Sequence, residues 1–290
     1  MTHAASVTHL TGVLGWPIGH SISPAMHNAA FAALGLDWRY LALAVHPDDL
    51  PAAFQGLRAL RFAGVNVTIP HKIAVAALVD ELSEEATAIG AVNMVTFDGR
   101  RALGHNTDAF GFLAALSAGS FTPDGCSAVV LGAGGAARAI VYALASVGAR
   151  IAIHNRTAER AEGLTADLSR RPLRGSLRVI AAGDEDLAAA LASADLLVNC
   201  TPVGMVGGPP GSPLPPSIRL RPGMTVFDAV YTPPLTPLLH QARRAGAQPI
   251  GGLGMLVHQA ARAFATWTGL DAPAQVMERA ARRALSLRRG

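Results

Sequence analysis

Lysine is almost absent from this chain of 290 residues, because Lys72 is the single lysine among 24 lysines and arginines. Arginine keeps its charge at any working pH, whereas a lysine can give up its proton when it is partly desolvated. An arginine-rich composition by chance accounts for a single surviving lysine but not for its place in the chain, whereas a site that needs proton transfer accounts for both. Lys72 ends the run 66–72, NVTIPHK, which is typical of an ordered loop. We predict that it is a catalytic residue.

Cysteine and charge are also scarce. Cys126 and Cys200 have no histidine at metal-ligand spacing, so we expect neither a disulfide framework nor a metal site. Charged residues make up 15% of the chain and the arginines are scattered, which argues against nucleic acid as a partner. No apolar stretch is long enough to span a bilayer, and residues 1–10 lack a secretion signal. These absences predict a globular, cytoplasmic protein that neither spans a membrane nor binds nucleic acid.

The middle of the chain has the order of a dinucleotide-binding unit, which is apolar strand, glycine turn and helix. The strand 128–131, AVVL, leads directly into GAGGAA. Gly132 would make the tight turn, and Gly134 would let the backbone approach a pyrophosphate at the helix N-terminus. We therefore predict cofactor contacts from Gly132, Ala133, Gly134, Gly135 and Ala136.

The next strand, 151–153, indicates which dinucleotide binds. An acidic residue about 20 residues after the glycine turn would bind the ribose 2′-hydroxyl of NAD. Here the strand is followed by HNRT, and a guanidinium suits a 2′-phosphate instead. We predict NADP as the cofactor, with contacts from Asn155, Arg156, Thr157 and Arg160. A solvated helix face is an equally good account of Arg160, and Thr157 also suits the N-cap of the following helix.

Further strands, 196–198 and 225–227, run into polar or glycine-containing loops. In an open parallel sheet, ligands bind at the edge formed by the carboxyl ends of the strands. Thr201, Val203 and Val230 are therefore predicted to line the cofactor path. Turn chemistry is an equally good account of Thr201.

The first hundred residues indicate a separate α/β unit, consistent with a length that exceeds what one core usually serves. Pro24 opens a helix for which Ser23 is the predicted cap. Capping does not explain Ser21, and two hydroxyls at a helix N-terminus would seat a carboxylate. Asn93 and Asp108 lie near turns, and the helix dipole alone would account for Asp108.

Seven motifs occur along the chain in a fixed order, and together they resemble shikimate dehydrogenase. They are Ser-x-Ser-Pro, Asn-Val-Thr-x-Pro-x-Lys, Gly-Ala-Val-Asn, Asn-Thr-Asp-x-x-Gly, Gly-x-Gly-Gly-Ala, Asn-Arg-Thr and Met-Leu-x-x-Gln. The resemblance extends from Gly15 to about Gln259. It implies an α/β fold with a Rossmann-type NADP domain, residues 105–251, and an α/β substrate-binding domain, residues 1–104 completed by 252–290, with a cleft between them.

The resemblance also implies roles for individual residues. Lys72 and Asp108 become the catalytic pair for hydride transfer between shikimate and NADP, and which of the two takes the proton stays open. Gly252 and Met255 would approach the nicotinamide. The substrate contacts that the resemblance implies are Ser21, Ser23, Thr68, Lys72, Asn93, Asp108 and Gln259. We add Tyr231 to this set as a further predicted contact.

Met94 departs from the family pattern, in which threonine usually follows Gly-Ala-Val-Asn. Relatives that act on quinate or aminoshikimate share nearly every motif, so substrate specificity depends on single residues. The hydroxyl that Met94 lacks bears on this specificity, and His71 bears on it more weakly. Arg156 argues against the NAD-preferring quinate branch. A methylene-tetrahydrofolate dehydrogenase would not need the paired serines, and a non-catalytic NADP-binding regulatory paralogue would be expected to lose Lys72 or Asp108. The sequence leaves monomer and homodimer open.

Overall fold

The computed structural model describes residues 8–180 and 183–287. Outside the described residues lie 1–7, 181–182 and 288–290. They include most of the segment considered for a secretion signal and the first and last residues of the predicted substrate-binding domain. The chain divides into two compact units. The first unit comprises Met1–Thr107 and Val257–Gly290, and the second unit is Asp108–Leu256.

Strands and helices alternate along most of the described chain. The strands are β1 (His9–Gly15), β2 (Trp38–Ala44), β3 (Gly64–Val67), β4 (Glu81–Leu82), β5 (Met94–Asp98), β6 (Arg101–His105), β7 (Ser127–Leu131), β8 (Arg150–His154), β9 (Ser176–Val179), β10 (Leu196–Asn199), β11 (Thr225–Asp228) and β12 (Gln248–Gly251). The helices are α1 (Ser23–Ala33), α2 (Leu50–Ala59), α3 (Glu84–Ile89), α4 (Asp108–Ala118), α5 (Gly135–Ser146), α6 (Ala158–Ser169), α7 (Asp184–Ala192), α8 (Pro237–Arg244), α9 (Leu253–Thr268) and α10 (Ala274–Ser286).

A mixed sheet forms the centre of the first unit. Its described strands have the order β2-β1-β3-β5-β6-β4. β1 pairs in parallel with β2 and β3, whereas β5 is antiparallel to β3 and β6. The segment after β3 and the segment before β5 therefore lie at the same end of the sheet. These two segments carry Lys72 and Asn93.

An aromatic cluster joins α1, β2 and α9 within the first unit. The ring of His27 stacks on that of Tyr40 with a centroid distance of 4.2 Å, and Phe264 and Trp267 pack nearby. His27 is fully buried and neither of its ring nitrogens has a hydrogen-bond partner among the described residues. Burial lowers the pKa of His27 to about 3, so this imidazole is neutral in the folded protein.

The second unit contains a parallel sheet with the order β12-β11-β10-β7-β8-β9. Every pairing recorded in this sheet is parallel. Taken from β9, the order matches the 3-2-1-4-5-6 arrangement of dinucleotide-binding sheets. Its central strands are buried along nearly their whole length, as expected for a sheet that is covered on both faces. The predicted fold class, α/β with a Rossmann-type unit, is confirmed.

None of the helices in the described ranges has the length and apolar character required to cross a membrane. The same ranges contain no group of three or more histidine, cysteine, aspartate or glutamate side chains placed to hold a metal ion.

Candidate active site

Three polar side chains from separate segments meet inside the first unit, and we call Asn93, Thr107 and Gln259 the polar cluster. All three are buried. The side-chain nitrogen of Asn93 donates to the Thr107 hydroxyl at 2.9 Å and to the Gln259 side-chain oxygen at 3.3 Å. The Asn93 side-chain oxygen accepts from the Thr107 backbone N–H at 2.7 Å. Amides held in this way are oriented before a ligand arrives, and they suit the recognition of hydroxyl groups.

Asn66 and Tyr40 support the polar cluster from within the sheet, and sequence reasoning missed both. The Tyr40 hydroxyl donates to the Asn66 side-chain oxygen at 2.7 Å. The Asn66 side-chain nitrogen donates to the backbone carbonyl of Asn93 at 3.2 Å. A signal was present in β3, GVNV, because a polar residue in a buried strand must find partners there.

The loop that follows β3 carries Thr68 and Lys72, and both residues are half-buried. The Thr68 N–H donates to the Leu14 carbonyl at 2.9 Å, which continues the pairing of β1 with β3. The Lys72 carbonyl accepts from the N–H of Val92 at 2.7 Å, one residue before Asn93. The structure therefore brings the segments of Lys72 and Asn93 together.

His71 anchors this loop. Its side chain is buried, and its Nε2 lies 2.8 Å from the Val45 carbonyl oxygen. The ring is thus engaged with the backbone, which gives His71 a structural account beside the weak specificity role that the sequence suggested.

The start of α1 differs from the prediction. Ser23 was predicted to be the N-cap, but it is the first residue of the helix, and the N-cap position falls on Ile22 without a side-chain cap. Ile22 already has dihedrals close to helical, φ −101° and ψ −1°, so the helix begins earlier than the Pro24 signal indicates. The hydroxyl oxygen of Ser21 accepts from the Ser23 N–H at 3.3 Å. Both hydroxyls lie at the positive end of the helix dipole.

Asp108 is the first residue of α4 and of the second unit, and it directly follows Thr107. It is 4% exposed. A carboxylate in the first turn of a helix is favoured by the helix dipole. Lys72 and Asp108, the predicted catalytic pair, thus come from different compact units.

His105 borders the polar cluster with its backbone and its ring. Its carbonyl accepts from the Asn93 N–H at 3.0 Å, and its Nε2 lies 3.2 Å from the Thr96 hydroxyl. Burial lowers the pKa of His105, and the positive charge of Arg262 lowers it further. The imidazole is therefore neutral at neutral pH and brings no charge to the surroundings of Asn93.

In the second unit, the glycine turn between β7 and α5 has the geometry that its sequence predicts. Gly132 has φ +107°, a conformation that glycine adopts without strain. Its N–H donates to the His154 carbonyl at 2.8 Å, which ties the turn to the end of β8. Gly134 is extended, and a Cβ added there would meet no atom within 4 Å. Ala133 lies between them, and Gly135 and Ala136 begin α5.

The residues after β8 carry two exposed cations. Arg156 and Arg160 are exposed, and no ion pair or side-chain hydrogen bond is found for either within the described parts of the chain. The Asn155 side-chain nitrogen donates to the Thr157 carbonyl at 2.7 Å and fixes the turn. Thr157 occupies the N-cap position of α6 but makes no side-chain cap. Capping therefore does not account for its hydroxyl.

The remaining predicted contacts follow β10, β11 and β12 within the second unit. The Thr201 hydroxyl donates to the Asn199 side-chain oxygen at 2.7 Å and accepts from the Val203 N–H at 3.3 Å. Turn chemistry thus accounts for this threonine, as the alternative interpretation expected. Val230 is buried and Tyr231 half-buried. Gly252 and Met255, at the start of α9, are also buried.

Comparisons with known proteins point to one family in three successive parts of the chain. Family models for the shikimate dehydrogenase substrate binding domain, for shikimate / quinate 5-dehydrogenase and for the shikimate 5′-dehydrogenase C-terminal domain match residues 13–95, 115–203 and 252–282. A shikimate dehydrogenase (NADP(+)) of Methanopyrus kandleri is 48% identical, and the match covers 94% of each chain. The chain belongs to the shikimate dehydrogenase family. The resemblance inferred from the seven motifs is confirmed.

Solved structures of shikimate dehydrogenases have the same fold. The shikimate 5-dehydrogenase of Thermus thermophilus in complex with NADP(H) and shikimate is 40% identical, with a TM-score of 0.84 and a match over 96% of this chain and 100% of that one. Quinate dehydrogenase from Corynebacterium glutamicum in complex with NAD is 33% identical, with a TM-score of 0.83 over 94% and 98%. The fold is therefore compatible with either polyol, and individual residues must decide between them.

Proposed function

We propose that this protein is an NADP-dependent shikimate dehydrogenase that interconverts shikimate and 3-dehydroshikimate by hydride transfer. The single observation that carries the proposal is the buried convergence of Asn93, Thr107 and Gln259, which suits a ligand with several hydroxyl groups. The relatives that match the chain over nearly its full length are NADP(+)-dependent shikimate dehydrogenases.

Substrate binding divides between two groups of side chains. The hydroxyls of Ser21 and Ser23 hold the carboxylate of shikimate, because the N-terminus of α1 favours negative charge. Thr68, Asn93 and Gln259 bind the ring hydroxyls, and the fixed amide of Asn93 sets their orientation. Tyr231 adds a further contact to the substrate.

Lys72 and Asp108 form the acid–base pair. The alcohol must lose a proton as its carbon gives up a hydride, and Lys72 hydrogen-bonds that hydroxyl and relays the proton. Asp108 is the second member of the pair, and which of the two takes the proton stays open. Positioned acid–base help of this kind is worth about 10²–10⁴ in rate.

The second unit fits NADP. The open space beside Gly134 leaves room for a pyrophosphate at the N-terminus of α5, within the turn formed by residues 132–136. Arg156 and Arg160 bind the 2′-phosphate, helped by Asn155 and Thr157. Bound NADP supplies the hydride acceptor. The residues that flank its nicotinamide side are Thr201, Val203, Val230, Gly252 and Met255.

Met94 is the observation that favours a second candidate substrate. It follows Asn93 directly, begins β5 and is 1% exposed, so an apolar side chain occupies a position where a hydroxyl is usual in the family. Quinate or aminoshikimate dehydrogenation is the alternative that this replacement favours.

The deciding experiment measures initial rates of nicotinamide reduction with shikimate and with quinate, each with NADP and with NAD. We expect a large preference for shikimate with NADP. Activity confined to quinate, or no activity with either acid despite tight NADP binding, would overturn the choice of substrate. A preference for NAD would overturn the assignment of Arg156.

The proposal places the protein in the shikimate pathway of aromatic amino acid biosynthesis, in the cytoplasm, with a small-molecule substrate and no nucleic acid partner. The predicted ranges give a substrate domain of residues 1–104 and 252–290 and an NADP domain of residues 105–251. The protein works as a monomer or a homodimer, and light scattering of the purified protein distinguishes the two.

A further inference from the structure

Asp228 is a buried carboxyl group that the proposed mechanism does not use. It ends β11 and has no exposed surface. One of its oxygens, Oδ1, accepts from the Asn199 side-chain nitrogen at 2.9 Å and from the Val230 N–H at 3.1 Å. The other oxygen, Oδ2, accepts from the Thr236 hydroxyl at 2.6 Å. All three partners found in the described parts of the chain are neutral donors.

Two of these partners extend the hydrogen bonds of Asp228 to further loops. The Asn199 oxygen accepts from the backbone N–H of Thr201 at 2.9 Å and from its hydroxyl, and that hydroxyl accepts from the Val203 N–H. Thr236 is the N-cap of α8, and its hydroxyl oxygen accepts from the Leu239 N–H at 3.3 Å. The loop after β10, the loop after β11 and the start of α8 are thus fixed to one carboxyl group.

A fourth segment packs against the backbone of the same residue. In the sheet register, Asp228 pairs with Asn199 on one side and with Gly251 on the other. A Cβ added to Gly252 would lie 2.9 Å from the Asp228 carbonyl oxygen and would overlap the Ala229 carbonyl. Glycine is therefore required for α9 to begin at this distance from β11.

The chemistry of the site explains why a carboxylate is present. An ionised carboxylate only accepts hydrogen bonds, whereas an amide at this position would turn donors toward donors. Burial raises the pKa of Asp228, although the hydrogen bonds from Thr236, Val230 and Asn199 oppose that shift. Burying a carboxyl group costs free energy, and the three hydrogen bonds to its two oxygens offset that cost.

We propose that Asp228 is a positioning residue for hydride transfer, because its carboxyl group aligns the loops that carry the nicotinamide-side contacts Thr201, Val203 and Val230 beside Gly252. The inference rests on the proposed function. Asp228 acts through the backbone of these loops and is not itself a catalytic residue. Small displacements of a reacting group reduce rate steeply, by about a hundredfold for 1 Å.

The test compares Asp228→Asn with Asp195→Asn. Asp195 accepts from the Ser127 N–H at 2.9 Å at the amino end of the same sheet, so it is the same substitution at the opposite edge. Four quantities are measured: turnover, the isotope effect with shikimate deuterated at the oxidised carbon, the Kd of NADP, and the NADP/NAD preference. Circular dichroism establishes the folded fraction.

For Asp228→Asn we expect turnover per folded molecule to fall at least about tenfold, the isotope effect to rise and NADP to bind about tenfold more weakly. The NADP/NAD preference should not change, because Arg156 follows a different strand. Asp195→Asn should match the wild type in all four quantities. Wild-type turnover, isotope effect and NADP Kd in folded Asp228→Asn would overturn the inference.

If Asp228→Asn does not fold, Thr236→Val and Thr236→Ser decide the question. The valine removes one donor to the carboxyl group, whereas the serine keeps it. Reduced turnover and a raised isotope effect for valine but not serine support the inference, and equal values for both overturn it. If the wild-type protein is inactive with shikimate, that result rejects the proposed function. It does not decide the role of Asp228, which the NADP Kd of the variants still tests.

Discussion

At the scale of single residues, Lys72 gives the most direct test of the chemistry. Replacing Lys72 by alanine removes the group that relays the proton, so turnover should fall at least about a hundredfold. NADP affinity should change little, because the predicted cofactor contacts lie on other segments. Steady-state kinetics and a titration with NADP measure both quantities. Near-normal turnover would remove the catalytic role, and Lys72→Arg tests whether charge alone suffices.

Arg156 tests cofactor choice at the same scale. Its guanidinium is exposed and makes no ion pair with other described residues, so it is available to a 2′-phosphate. Arg156→Ala should weaken NADP by about tenfold or more and leave NAD nearly unchanged, because a charged hydrogen bond is worth about 1.5–3 kcal/mol. Arg160→Ala is the matched comparison. Equal losses of NADP and NAD affinity for Arg156→Ala would show that the arginine is structural.

Sequence reasoning at this scale found residues that belong to motifs and missed residues that support them. Asn93 and Gln259 were predicted from the resemblance, and the structure places them in one polar cluster. Asn66 and Asp228 were given no role, because a polar residue in a buried strand shows that it needs partners but not which residues they are. The roles of the predicted site residues stay predictions until the variants are measured.

At the scale of elements, the glycine turn between β7 and α5 contains one glycine that we expect to affect stability and one that we expect to affect cofactor binding. Gly132 has φ +107°, so Gly132→Ala should destabilise the protein by about 1–3 kcal/mol. Gly134 has φ −85° and open space around it, so Gly134→Ala should leave stability within about 0.5 kcal/mol of the wild type. The added methyl group should nevertheless weaken NADP at least about tenfold, because it occupies the approach of the pyrophosphate.

Thermal unfolding and NADP titration of the two glycine variants measure this difference. A Gly134→Ala protein that is as stable as the wild type and binds NADP equally well would contradict the assignment of the turn as a pyrophosphate site. A loss of stability in both variants would show that the motif is required for the packing of α5.

Elements were easier to predict than their ends. The strand, glycine turn and helix of residues 127–146 were predicted, since an apolar run followed by glycines has one main interpretation. The start of α1 was wrong by one residue, because Ile22 adopts near-helical dihedrals that the Pro24 signal does not indicate. The two-residue strand β4 was also missed, because so short a strand has no periodicity.

At the scale of the whole molecule, His27 connects stability to pH. Its folded pKa of about 3 lies below the unfolded value of 6.5, so the unfolded state binds the proton more readily. Stability from this group is fully present above pH 6.5. It falls by about 1.4 kcal/mol per pH unit between 6.5 and 3, and it changes no further below that range.

His27→Phe removes this proton while keeping an aromatic ring beside Tyr40. The difference in unfolding free energy between variant and wild type should therefore grow in favour of the variant as the pH falls from about 6 to 4. Urea unfolding at several pH values measures it. A difference that does not depend on pH would show that His27 finds a partner or is protonated in the folded state.

Lys72 carries the one ε-amino group in the chain, on a half-buried residue of the loop after β3. Reagents that acylate amines therefore have one side-chain target in the entire molecule, together with the terminal amino group. In most enzymes such labelling produces a complex mixture, whereas here it can modify at most two amines, of which only Lys72 is a side chain. Covalent chemistry can thus address the proposed active site without introducing a cysteine or altering any other residue.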